Sequence, residues 1–222
     1  MIIQGLKVHH MLNKSKKNYL ITGIASGFIF LVLTFLVNMD IFRSIDYQTT
    51  VLLQEKLNRI YDFPFSLITL LGSSEVITLL VAGLFLWDFY KFRKIRLGLF
   101  LYLSVYLIEI LGKKFIFHPD PPMVFNRVAI DFNFPSSNII RTGFSYPSGH
   151  MARSIFLLII ILFMINRYKK RRTIRILSQA AGYFLICAIF ISRIYLGEHW
   201  FSDVAGGILL GMSLATFSLY NW

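Results

Sequence analysis

The chain alternates between long apolar runs and short polar clusters, and the runs set its architecture. Six stand out, at residues 19–39, 65–87, 97–113, 151–165, 176–192 and 201–220. A helix needs about 20 apolar residues to cross the hydrocarbon core of a bilayer. The run at 151–165 is short, so its helix is expected to begin near Ser148, within the polar motif before it. The pattern predicts an all-α polytopic membrane protein, with six transmembrane helices in one bundle and residues 1–222 as a single domain. No linker, internal repeat or low-complexity tract divides it. The first run is longer than a signal-peptide core and has no small-residue cleavage site, so it is expected to be retained. The segment 40–64 carries Leu52, Leu53, Leu57 and Ile60 at helical spacing. It is expected either to lie on the membrane surface or to cap the bundle. The loop 116–147 holds every proline except Pro64 and is expected to cover the helix ends.

Composition agrees with this pattern. Hydrophobic residues make up 56% of the chain and charged residues 15%, against about a quarter charged in soluble domains. The formal net charge of +12 is not spread as a nucleic-acid surface would be. Most basic residues fall in three clusters between runs: Lys7, Lys14, Lys16 and Lys17; Lys91, Arg93, Lys94 and Arg96; and Arg167, Lys169, Lys170, Arg171, Arg172 and Arg175. In a six-span topology all three face one side, with only Asp88 among the acids. The positive-inside rule makes that side the cytoplasm, with both termini there. Cys187 is the only cysteine, so no intrachain disulfide and no cysteine-built metal centre can form.

The same topology brings three polar clusters from different helices to the opposite, outward surface. Glu109, Lys113 and Lys114 end the third run. Tyr146-Pro147-Ser148-Gly149-His150 enters the fourth. Ser192-Arg193, His199 and Asp203 join the fifth and sixth. Convergent cations and histidines at one depth suit an anionic ligand. Lys113 and Arg193 supply charge, and Ser148 and Gly149 begin a helix whose free N–H groups favour an anion. His199 and Asp203, four residues apart, share a helix face. The carboxylate can hold one imidazole N–H and leave the other nitrogen free to attack phosphorus. His150, from another helix, is placed to move protons. Glu109, four residues before Lys113, is read as the partner that orients it. Arg153, three residues after His150, is read as a headgroup contact or as an interface residue. His118 is read as structural.

The strings Pro147-Ser148-Gly149-His150 and Ser192-Arg193-x5-His199-x3-Asp203 resemble the second and third signatures of the type 2 phosphatidic acid phosphatase superfamily. The layout is similar over roughly residues 65–220, with the signature region at about 109–207. The resemblance implies a phosphohistidine on His199, with His150 as acid and then base, and neither metal nor cofactor. The implied partners are a membrane lipid-phosphate substrate and the bilayer, with no nucleic acid. Undecaprenyl pyrophosphate, phosphatidylglycerol phosphate and phosphatidate are the kinds of substrate it suggests, in a bacterial plasma membrane. Catalytic candidates are His199, His150 and Asp203; phosphate-binding candidates are Lys113, Ser148, Gly149 and Arg193; Asp120, Lys114 and Ser192 are further candidates. The first signature departs from the family. Lys113 and Pro121 stand in place, but Asp120 occupies the arginine position, exchanging a phosphate-binding cation for an anion. Lys114, His118, Arg127 and Arg141 are the groups available to compensate. A lipid phosphotransferase using the same histidine, or a weakly active lipid-phosphate binder, are the alternatives to a phosphatase.

Overall fold

The computed structural model describes residues 2–93, 96–130, 143–168 and 171–220. Their helices are α1 (Ile2–Asn38), α2 (Arg43–Lys56), α3 (Asp62–Leu70), α4 (Ser74–Phe92), α5 (Leu101–Phe115), α6 (Gly149–Tyr168), α7 (Arg172–Tyr195) and α8 (Phe201–Tyr220). Among the described residues the only strand-like pairing is an isolated bridge between Pro119 and Phe144. Among the described residues five stretches are long and apolar enough to cross a membrane: Lys16–Asn38, Arg59–Phe92, Gly149–Tyr168, Arg172–Tyr195 and Phe201–Tyr220. The expected run at 97–113 folds as a 3-10 turn, Leu97–Phe100, followed by the 15 residues of α5. At about 1.5 Å per residue, α5 alone is shorter than the hydrocarbon core. It also carries Glu109, Lys113 and Lys114. Phe28, Leu31, Leu79 and Phe184 lie largely exposed on the outside of the bundle, where lipid supplies the contacts that water could not.

α8 is the hub, packing against α1, α2, α5, α6 and α7. Its approach to α6 depends on Gly207 and Gly211, spaced as small-xxx-small. A Cβ at Gly207 would come 2.5 Å from the Ser148 carbonyl, and one at Gly211 would collide with the Ala152 carbonyl. Two glycines thus let the backbones meet, and the first turn of α6 is seated on α8. Tyr102, Val105, Phe156, Ile160 and Leu210 fill the core between these helices.

The expected second span is broken. α3 stops at Leu70, and Ser73 starts α4 by accepting the Val76 N–H at 3.4 Å. Gly72 in the break faces Ser154 and His150 of α6. Segment 40–64 resolves as a cap, because α2 crosses α7 and α8 and buries Asp46 and Thr50. Asp46 accepts the Ser202 N–H at 2.8 Å and the Ser202 hydroxyl at 2.7 Å. α6 begins at Gly149, as the polar motif predicts. The covering loop is tied down within its described parts. Ser145 N–H bonds the His118 carbonyl at 2.9 Å, and Arg127 N–H bonds the Leu196 carbonyl at 3.0 Å. At the other end of the bundle the basic clusters meet an aromatic group. Lys91 lies 4.7 Å from the Trp87 ring centre, and Arg96 pairs with Asp88 at 2.9 Å.

Candidate active site

The α7–α8 turn sets the position of the proposed nucleophile. Gly197 takes φ +70°, a left-handed conformation that favours glycine, and a Cβ there would strike the Phe125 carbonyl. The Glu198 and His199 N–H groups then both bond the Arg193 carbonyl at 3.2 Å. Arg193 and His199 are thereby fixed to each other across five intervening residues. One turn on, Asp203 Oδ2 lies 3.2 Å from His199 Nδ1 and also accepts the Trp200 N–H at 3.0 Å. Both side chains are buried. Ser148 N–H donates to the Asp203 carbonyl at 3.0 Å, which joins the start of α6 to the same turn. His150, half-buried, stands at the first turn of α6 beside the α3–α4 break.

The cations approach from three helices. Lys113 donates to Glu109 Oε1 at 2.9 Å. Arg153 pairs with Glu109 Oε2, and its guanidinium lies 4.9 Å from the Tyr106 ring centre. Arg193 donates to Thr69 at 2.7 Å and to Glu198 at 2.5 Å. Burial holds the His199 pKa well below its ordinary value, and the charges of Arg193, Lys113 and Arg153 push it further down. The imidazole is therefore neutral at neutral pH, as a nitrogen nucleophile must be. Ser148 Oγ, Arg153 Nε and Arg193 Nε are buried donors without an acceptor among the described residues. Donors left in this condition are costly and match the needs of an oxyanion.

Several sequence expectations are sharpened. Ser192 gives its hydroxyl to the Ile189 carbonyl at 2.8 Å and is spent within its own helix. Lys114 points outward over Phe115, and Arg127 engages Tyr195 and Leu57. Neither joins the cluster, and Arg141 lies outside the described residues. Asp120 is exposed; burial of its surroundings raises its pKa, and Lys113 opposes that rise. It lines a cavity of about 870 Å³ with His118, Asp46, Tyr47 and Trp200.

Two contributors were not legible as such. Thr69 lies in a run read as an unbroken span, yet it holds Arg193. His118 has its Nε2 3.1 Å from Ser202 Oγ and 3.4 Å from Asp203 Oδ1. It remains structural in kind: its hydrogen-bond partner is the hydroxyl of Ser202, which also bonds Asp46 and stands one residue before the carboxylate behind His199. Among the described residues no three His, Cys, Asp or Glu side chains converge as a metal ion requires.

A multi-pass bundle with these two signature strings has the fold of the membrane-integral phosphatases. The chain belongs to the PAP2 superfamily, whose family model matches residues 93–222. Among solved structures it is similar to a transmembrane PAP2-type phosphatidylglycerolphosphate phosphatase from Bacillus subtilis. The TM-score is 0.71 at 20% identity, over 89% of this chain and 94% of that one. It is also similar to Aquifex aeolicus LpxE, with a TM-score of 0.58 at 21% identity, over 79% of this chain and 94% of that one. At these identities the likeness is one of fold. No curated protein matches the sequence.

Proposed function

We propose that the protein hydrolyses a lipid phosphate or lipid pyrophosphate through a phosphohistidine on His199. The observation that carries this reading is the buried His199–Asp203 pair at 3.2 Å, set beside Arg193 and below the Ser148–His150 turn. Nδ1 is held by Asp203, so Nε2 is the attacking atom. It forms the N–P bond as the P–O bond to the lipid breaks, and His150 gives a proton to the departing oxygen. Water then attacks phosphorus, His150 takes its proton, and the N–P bond breaks to release inorganic phosphate. Asp203 steadies the imidazolium that exists between the two steps. Lys113, Arg193, Ser148 and the Gly149 N–H hold the equatorial oxygens, where positioned charge does most of the work of phosphoryl transfer. This scheme uses no metal.

The similarity to a phosphatidylglycerolphosphate phosphatase and to LpxE supports a lipid as the leaving group. The basic clusters at the far end of the bundle support a site on the outer face of a bacterial plasma membrane, with cytoplasmic termini. A phosphate-release screen over phosphatidate, phosphatidylglycerol phosphate and undecaprenyl pyrophosphate tests the reading. Release should depend on His199 and persist in chelator; equal release by His199→Ala would refute it. A second reading, a lipid-phosphate binder with little turnover, draws on Asp120 at the arginine position. It requires Asp120→Arg to raise turnover steeply. Transfer of the phosphoryl group to a lipid acceptor in place of water would be seen as a new phospholipid product in the same screen.

A further inference from the structure

The arginine absent from the first signature leaves a question of charge. In this structure Lys113 offers an anion donors but little net charge, because Glu109 pairs with it. Arg193 is likewise matched by Glu198, and Asp120 adds a negative charge at the rim. A phosphate dianion entering such a site needs one more cation, and Arg153 is the buried one within reach. It follows His150 by one helical turn and is 4% exposed. It binds the same carboxylate as Lys113, through the other oxygen, so the two cations flank a single Glu109. That carboxylate lies against Gly149, where a Cβ would collide with it. Glu109 therefore sits at the head of α6, where an anion is favoured. Arg153 Nε remains a buried donor without an acceptor, as do Ser148 Oγ and Arg193 Nε. Three side chains from α6, its leading turn and α7 thus present spare donors in one region.

Building on the functional reading above, we propose that Arg153 supplies the phosphate-binding cation that Asp120 does not, from helix α6 instead of the first-signature loop. Glu109 holds Arg153 and Lys113 together while the site is empty. The phosphoryl oxygens then take the spare guanidinium donors, and the Tyr106 ring keeps the guanidinium in place. The cation has moved in sequence but not in purpose.

The test is the affinity of the full-length protein, in detergent micelles, for inorganic phosphate by isothermal titration. Thermal unfolding is followed for each variant. Arg153→Met should weaken phosphate binding on the order of 10- to 100-fold, the range for hydrogen bonds to a charged group, and Arg153→Lys should weaken it less. Adding Asp120→Arg to Arg153→Met should recover at least about tenfold of that loss. Adding Glu109→Gln, which frees Lys113 but supplies no guanidinium donors, should recover less than Asp120→Arg does. A merely structural Arg153, present only to neutralise Glu109, predicts the reverse: Glu109→Gln restores binding and Asp120→Arg does not. That reversal, or unchanged binding in a folded Arg153→Met protein, overturns the inference and leaves the functional reading standing. If the wild-type protein binds no phosphate, both fall. Recovery by Asp120→Arg, with turnover still lost in His199→Ala, supports both.

Discussion

A histidine can act as a nucleophile at phosphorus only while one nitrogen is unprotonated, and the surroundings of His199 serve that need in two ways. Burial and three nearby cations disfavour the imidazolium in the resting site, while in the proposed mechanism Asp203, on Nδ1, meets the charge that develops after attack. Because the free-enzyme pKa is lowered, activity should persist as pH falls through the ordinary histidine range near 6.5. The acid limb of kcat/KM should therefore lie below that value; a limb at or above it would contradict this account of His199. Asp203→Asn should keep the fold and lose most of the turnover, since the imidazole loses both its orientation and its charge partner. Thr69→Val should free the Arg193 guanidinium from one of its two partners and raise KM several-fold with a smaller effect on kcat. No change in KM would mean that Glu198 alone positions the arginine. The legible part of the site consists of residues whose spacing carries chemistry: His199 with Asp203, and the Ser148–His150 turn. Thr69 was hidden because a lone threonine in an apolar run looks like any helix residue. His118 was hidden because its neighbours, Ser202 and Asp46, come from elements distant in sequence.

Helix contacts explain why the motifs meet. The strings at 147–150 and 192–203 are brought together by backbone contact, through Gly207 and Gly211 of α8 against the first turns of α6. Gly211→Val should separate the two helices, lower the unfolding temperature in detergent and reduce activity. Gly83→Ala, where a Cβ meets nothing within 4 Å, should be neutral or slightly stabilising, since alanine favours a helix. Equal behaviour of the two variants would contradict this packing account. The apolar runs predicted most of these helices, because lipid and core both select for length and hydrophobicity. They did not predict the interruption after Leu70. Gly72-Ser73-Ser74 is short and mildly polar, and it becomes a break only through the Ser73 cap and the proximity of α6. They also did not show that the run at 97–113 divides into a 3-10 turn and α5, whose last turns carry Glu109 and Lys113 into the site.

At the scale of the molecule, one end is basic and aromatic and the other gathers the candidate chemistry. Tyr19 meets Phe163 towards the first end, and Thr34 bonds Tyr146 at 2.9 Å towards the second, so α1 runs the same course as its neighbours. In a Cys187→Ala background expressed in bacterial cells, Met123→Cys should react with a membrane-impermeant maleimide. Arg172→Cys should react only after the cells are opened; the opposite pattern would invert the proposed orientation. The central claim is that the phosphoryl group rests on His199. Its most direct test is to mix the His150→Ala protein with an aryl phosphate bearing a lipid tail, whose phenolate departs without a proton from His150, quench in base, and map the phosphoryl group by mass spectrometry of the peptides. The account predicts an acid-labile, base-stable phosphoryl group on His199, accumulating because His150 is no longer present to activate water. Steady phosphate release with no phosphoryl group on His199, or with the group on another side chain, would contradict it.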